Sequence, residues 1–170
     1  DDPVDSLEWH KKIAEDASFD VKVLPAWRPD KAMNIEKPTY LEYMDQLSAV
    51  SGIKVSSFSD LCKALSNRID FFASMGCCVS DHALEYVMYA PASAEEIESI
   101  FAKRLAGNDV TKEEELKFKT AFMVNVGKEY TKRNWVMQLH DGCKRDNNAY
   151  MFEQLGPDTG FDCINNYAPS

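Results

Sequence analysis

The sequence predicts an α/β fold in which helix dominates and a small parallel sheet lies at the centre. The 170 residues, 45% of them hydrophobic, are enough to bury one core, so we expect residues 1–170 to form a single unit. Three short apolar runs alternate with longer stretches of helical periodicity, which predicts crossover connections and therefore parallel strands. Three parallel strands leave both sheet edges open, so we expect the chain to be part of a larger protein.

The first half of the chain is predicted to contain one strand. Residues 19–24 alternate in polarity and are rich in valine, which is typical of a strand. Proline and aspartate over 25–37 predict a loop, and Gly76 is suited to ending a helix. Apolar residues recurring every three or four positions predict three helices, over 4–17, 39–50 and 57–74.

The second half is predicted to contain two strands and three helices. Short apolar runs at 77–80 and 135–139 are the predicted strands, and the first of them is directly followed by Asp81 and His82. Two predicted helix starts carry a serine or threonine with a glutamate three residues later, the pattern of a capping box. The predicted helices run over 93–105, 112–133 and 148–155.

Composition excludes several classes of function. A formal net charge of −9 and an isoelectric point near 4.8 would repel nucleic acid and anionic lipid. No apolar run approaches the roughly 20 residues that a bilayer requires. The five cysteines lack C-x-x-C spacing, so we expect reduced thiols and a cytoplasmic protein. An acidic protein that binds a small anion needs a locally placed arginine.

Candidate functional residues follow each predicted strand. Arg28 comes after the first strand, Asp81 and His82 follow the second, and His140 ends the third. In parallel α/β proteins ligands bind at the carboxyl ends of the strands. Imidazole can hold a divalent metal and guanidinium can bind a carboxylate, so these residues suit a metal and a sugar acid. Periodicity alone leaves open that both histidines are ordinary polar residues and that Arg28 only stacks on Trp27.

Five motifs resemble, in their residues and in their order along the chain, motifs of the uronate (glucuronate) isomerases of the metal-dependent amidohydrolase superfamily. The resemblance extends over essentially the whole chain. The motifs are Asp1-Asp2-Pro3, 23–31 (VLPAWRPDK), 76–85 (GCCVSDHALE), Gln138-Leu139-His140 with Arg145 and Asn147-Asn148, and 155–162 (LGPDTGFD).

This resemblance implies a specific fold and reaction. It implies that the chain is part of a (β/α)8 TIM barrel, with strands four to six present and 31–75 an inserted helical region. The implied enzyme uses a divalent metal, zinc or manganese, to convert glucuronate to fructuronate and galacturonate to tagaturonate. We expect a small-molecule sugar acid as partner and self-association as a homo-oligomer.

The resemblance also implies roles for individual residues. It assigns His82 to the metal site, His82 and Arg28 to catalysis, and substrate contacts to Arg28, Trp27, Asp81 and His140. The metal-binding histidine pair of the first barrel strand and the aspartate of the last strand lie outside this chain. We therefore expect these 170 residues alone to be inactive.

The alternative hypothesis is that the chain is a noncatalytic interaction module derived from the barrel. Such a module would associate through its open sheet edges, by edge pairing or domain swapping. The two readings differ in geometry, since a catalytic fragment requires Arg28, His82 and His140 to converge on one face, whereas a module leaves them dispersed.

Overall fold

Seven helices and four short strands occur in the part of the chain that the computed structural model describes, residues 1–165. The helices are α1 (Glu8–Glu15), α2 (Asp30–Met33), α3 (Tyr40–Ser51), α4 (Phe58–Ser74), α5 (Ala94–Leu105), α6 (Lys112–Lys132) and α7 (Ala149–Leu155). The strands are β1 (Val79–Ala83), β2 (Val136–His140), β3 (Cys143–Lys144) and β4 (Cys163–Ile164).

The core lies between helices α3 to α6 and is rich in aromatic rings. Phe101 of α5 and Phe118 of α6 are fully buried and stack with their ring centroids 5.9 Å apart. Tyr40 of α3 meets both rings edge-on at 6.4 and 6.3 Å, an arrangement that favours aromatic pairs. These helices therefore form a packed layer behind the sheet.

Local signals define where the long helices begin. Thr111 and Glu114 form the complete capping box predicted for α6, since each side chain accepts a backbone hydrogen bond from the other residue. At α5 only half of the predicted box is present: Ser93 accepts from the Glu96 amide, while the Glu96 carboxylate accepts from Lys117 of α6 at 2.7 Å. That ion pair joins the two helices instead.

The central sheet is small and parallel. Strands β1 and β2 pair in register from Val79 opposite Val136 to Ala83 opposite His140. Trp27 pairs with Ser80 on the other side of β1, also in parallel register. Three adjacent stretches therefore run in the same direction, as the alternation of elements predicted.

The first predicted strand was wrong. Residues 19–24 are not paired in the described structure, and pairing begins only at Trp27, whose amide donates to the Val79 carbonyl at 3.1 Å. Alternating polarity indicates a strand only where a neighbouring strand is available to receive its backbone hydrogen bonds. Here the side chains remain largely exposed, with Val21 at 62%.

Other boundaries also differ from the prediction. The first helix begins at Glu8 rather than at residue 4, because Leu7 adopts a left-handed backbone with φ 55°. The predicted loop at 25–37 contains the single turn α2. Strand β1 covers 79–83 rather than 77–80, which places Asp81 and His82 inside the strand instead of beyond its end. The antiparallel β3–β4 pair was not predicted.

The observed architecture is a helical layer packed on a small sheet, as the predicted helix-dominated α/β class requires. Residues 31–75, predicted to be an inserted helical region, contain most of α2 together with α3 and α4. Among the described helices, none is both long and apolar enough to cross a membrane.

Candidate active site

Strand alternation divides the candidate residues between two faces of the sheet. Along β1, Ser80 and His82 are buried against the helices, while Asp81 points to the opposite, more open face. The register places Asp81 opposite Gln138 and Ala83 opposite His140. Asp81, Gln138 and His140 therefore share the open face of the sheet.

A cleft opens over the carboxyl ends of β1 and β2. Its volume is about 970 Å³, and its lining includes Arg28, Asp30, Lys37, His140, Cys143 and Arg145. The loop that follows β2 and the α2 turn supply most of these residues, because both leave the sheet at the same edge. The structure therefore has a cleft at the place where the site was predicted, the carboxyl ends of the strands.

A chain of polar contacts crosses this open face through Asp81. One carboxylate oxygen, Oδ1, lies 2.7 Å from Nδ1 of His140, and the other, Oδ2, lies 3.6 Å from Nε of Arg28. The second ring nitrogen of His140, Nε2, lies 2.7 Å from the side-chain amide nitrogen, Nε2, of Gln138. The contact with Gln138 requires an Nε2 that accepts a hydrogen bond, whereas the approach of Nδ1 to Asp81 is a close contact without hydrogen-bond geometry.

The Arg28 guanidinium keeps its two terminal nitrogens available. Its Nε donates to Asp30 at 2.8 Å and lies near Asp81, while Nη1 and Nη2 donate no hydrogen bond within residues 1–165. The side chain is 42% exposed and lines the cleft. Two parallel N–H donors in this position match the oxygens of a carboxylate.

His82 and Trp27 lie behind the sheet rather than in the cleft. Both are fully buried: Trp27 meets Phe72 edge-on at 4.9 Å, and the His82 ring lies 5.7 Å from that of Tyr130. Neither ring nitrogen of His82 has a hydrogen-bond partner among the described residues. Burial lowers the pKa of His82 from 6.5 to about 4, so the ring is neutral near pH 7.

The structure thus brings three predicted residues together and separates two. Arg28, Asp81 and His140 meet on the open face, whereas His82 and Trp27 face the helices. The reason is the corrected boundary of β1, because neighbouring residues within a strand must point to opposite faces. The metal role of His82 and the substrate role of Trp27 stay predictions.

The described residues do not by themselves fit a complete metal centre. No group of three or more histidine, cysteine, aspartate or glutamate side chains is arranged to hold an ion in residues 1–165. Asp81 and His140 offer one oxygen and one nitrogen, but they contact each other. Most ligands of a zinc or manganese ion would have to come from other residues of the protein.

Two residues that contact the candidate site residues, Asp30 in the cleft lining and Gln138 beside it, were not predicted from the sequence. Asp30 accepts hydrogen bonds from Arg28 and from the Ala83 amide, and Gln138 contacts His140. Gln138 could have been found from its position two residues before His140 on the same strand. No local sequence pattern indicated the role of Asp30, because its partner Ala83 lies 53 residues further along the chain.

Comparison with known proteins supports the resemblance found in the motifs. The family model for glucuronate isomerase matches residues 1–170. The chain is 72% identical over 167 residues to the uronate isomerase of Lachnospira eligens, covering 98% of this chain and 36% of that protein. It is 69% identical over 165 residues to the uronate isomerase of Lachnoclostridium phytofermentans, covering 97% of this chain and 35% of that protein.

A solved structure is similar over nearly the same extent. The crystal structure of uronate isomerase from Thermotoga maritima superposes with a TM-score of 0.92 at 36% identity, covering 98% of this chain and 37% of that chain. The present chain therefore spans about a third of the length of the relatives it matches. With the family model matching from the first residue to the last, this chain belongs to the glucuronate isomerase family.

Proposed function

We propose that the full-length protein containing this chain is an aldose–ketose isomerase of hexuronates, which converts glucuronate to fructuronate and galacturonate to tagaturonate. Membership of the family supports the reaction. The observation that supports the proposal for this chain is the Arg28 guanidinium, which lines the cleft and whose two terminal nitrogens donate no hydrogen bond within residues 1–165. Within the described residues it is well suited to bind the carboxylate that distinguishes a hexuronate from a hexose.

The open face of the sheet supplies this chain's share of the chemistry in the proposal. Arg28 binds the sugar carboxylate and thereby fixes the position of the reacting end. His140 lies against Asp81 at Nδ1 and against the side-chain amide of Gln138 at Nε2, so a sugar hydroxyl that bonds to the ring would replace Gln138 at Nε2. Isomerisation moves a proton between adjacent carbons, and we assign the base that moves it to a residue outside the described part.

A divalent metal, zinc or manganese, is part of the proposal for the full-length protein. Such an ion supplies polarisation of the sugar oxygens when it is bound. Because residues 1–165 do not complete a metal site, we propose that these 170 residues alone neither bind the ion tightly nor turn over substrate. His82 remains a predicted metal ligand. Its ring is neutral, which is the form that binds a metal, but it is buried on the helix-facing side of the sheet.

The proposed fold of the full-length protein is a (β/α)8 barrel to which this chain contributes adjacent parallel strands. The parallel register of Trp27, β1 and β2 and the exposure of the open face, with Val136 at 64%, support this arrangement. In a closed barrel that face would turn toward the interior. We further propose a cytoplasmic protein that forms a homo-oligomer and binds neither nucleic acid nor membrane, in keeping with its negative charge.

Turnover of glucuronate and galacturonate by the full-length protein, with zinc or manganese added, tests the proposal. The matched variants are Arg28→Gln, which removes the guanidinium, and Lys63→Gln, which removes a positive charge from the exposed surface of α4. We expect wild type and Lys63→Gln to be active, Arg28→Gln to lose at least about 100-fold in kcat/KM, and the 170-residue chain to be inactive.

Two results would count against the proposal. No turnover of either sugar acid by the wild-type protein would favour the noncatalytic interaction module. Full activity of Arg28→Gln would remove Arg28 from substrate binding. Metal content measured on a His82→Phe variant separately tests the predicted ligand role of His82, because loss of a ligand lowers metal affinity.

A further inference from the structure

The carboxylate of Asp30 lies between Arg28 and the end of β1. Its Oδ2 accepts from Nε of Arg28 at 2.8 Å, and its Oδ1 accepts from the backbone amide of Ala83 at 3.2 Å. The side chain is only 18% exposed, at the start of the short helix α2. A single carboxylate therefore connects the arginine to the last residue of the strand.

This contact decides which edge of the guanidinium a ligand can use. A carboxylate can bind arginine side-on, through Nε and one terminal nitrogen, or end-on, through Nη1 and Nη2. Asp30 occupies Nε, so the side-on mode is blocked. Only end-on binding remains open in the described structure. For this mode Arg28 must direct Nη1 and Nη2 into the cleft that it lines.

We propose that Asp30 is a positioning residue that fixes the Arg28 guanidinium in the orientation needed for end-on binding of the substrate carboxylate. The inference rests on the proposed function, in which Arg28 binds the sugar acid. Asp30 acts through Arg28 and does not itself contact substrate. The Ala83 amide holds the carboxylate at a fixed point of the sheet, so the orientation of the arginine is tied to the strand that also carries Asp81.

The negative charge of Asp30 and its effect on the orientation of Arg28 predict opposite changes in glucuronate binding when Asp30 is replaced. Asp30 and Asp81 both place negative charge near Arg28, which opposes the binding of a third carboxylate. If charge dominated, Asp30→Asn would strengthen the binding of glucuronate. If positioning dominates, the same variant weakens it, because the neutral amide holds the guanidinium less firmly and leaves it free to turn away.

The test uses the full-length protein and measures glucuronate binding by calorimetry together with kcat and KM. In Asp30→Asn we expect the Kd and KM for glucuronate to rise about tenfold, with kcat changed less. Glucose, the matched sugar without a carboxylate, should bind wild type and variant alike. Asp141→Asn removes a negative charge at the cleft rim without contacting Arg28 and should change Kd by no more than about twofold.

A double-mutant cycle separates positioning from a merely structural role. Lysine has no equivalent of the Nε donor, so in an Arg28→Lys background Asp30→Asn should have no further effect on glucuronate binding. The same tenfold loss in that background would overturn the inference, as would tighter or unchanged binding in Asp30→Asn alone. If Asp30→Asn does not fold, Asp30→Glu retains the charge but shifts the acceptor by one methylene; glucuronate binding weakened by at least about threefold supports positioning, and unchanged binding overturns it.

Failure of the inference and failure of the proposed reaction give different results. Turnover by wild type with normal glucuronate binding in Asp30→Asn leaves the isomerase proposal standing and overturns the role of Asp30. No turnover, but glucuronate binding that depends on both Arg28 and Asp30, overturns the reaction and supports the positioning role. Absence of both turnover and binding overturns both proposals.

Discussion

The buried imidazole of His82 makes the stability of the protein depend on pH in a defined window. Burial lowers the pKa of this group from 6.5 to about 4, so the unfolded chain binds the proton more tightly than the folded protein does. The contribution to stability is therefore fully present above pH 6.5 and is lost progressively as the pH falls toward 4. At about 1.4 kcal/mol per pKa unit, the loss amounts to about 3 kcal/mol.

The replacement His82→Phe removes this titration at little structural cost. Neither ring nitrogen has a hydrogen-bond partner among the described residues, so phenylalanine sacrifices no polar contact there. We expect the thermal midpoint of the metal-free full-length wild type to fall by several degrees between pH 6.5 and 4.5, and to fall less in metal-free His82→Phe. Phe72→Leu, which alters another fully buried ring of the same core that carries no titratable group, is the matched control and should keep the wild-type pH dependence. Equal pH dependence in wild type and His82→Phe would refute the reasoning.

Three further substitutions test the packing that supports the cleft. Phe101→Ala should reduce the free energy of unfolding by about 3–5 kcal/mol, measured by denaturant titration, because the fully buried ring stacks on Phe118; a loss below about 1 kcal/mol would contradict this packing. Arg104→Leu removes hydrogen bonds of 2.9 Å to the carbonyls of the 35–37 segment, and faster amide hydrogen exchange there is expected, with unchanged exchange as the contrary result. Thr111→Ala should cost about 1 kcal/mol through loss of its capping box, whereas Thr111→Ser should cost much less.

The helices could be predicted from the sequence because their signals are local. Helix α4 was predicted over 57–74 and begins at Phe58, and α6 was predicted over 112–133 and ends at Lys132. Apolar spacing of three and four and a capping threonine act within a few residues of the chain. Tertiary contacts then had only to select which face of each helix became buried.

The strands and the fine structure of the site depend on contacts between distant residues. Residues 19–24 have the polarity of a strand but no neighbour with which to pair. The predicted end of β1 at residue 80, three residues before its observed end at Ala83, placed Asp81 and His82 beyond the strand, although alternation sends them to opposite faces. Of the three residues predicted to converge, Arg28 and His140 meet through Asp81, whereas His82 faces the helices. The bond from Asp30 to Ala83 required the folded structure.

In our proposal, the residues of this chain that contact substrate lie on the open face of the β1–β2 pair. Comparing kcat/KM for glucuronate between His140→Asn and the exposed α4 variant Lys63→Gln in the full-length protein tests this placement most directly. We predict that His140→Asn loses at least about 100-fold while it remains folded, and that Lys63→Gln stays within about twofold of wild type. A folded His140→Asn with nearly wild-type kcat/KM would contradict the placement of substrate contacts on this face.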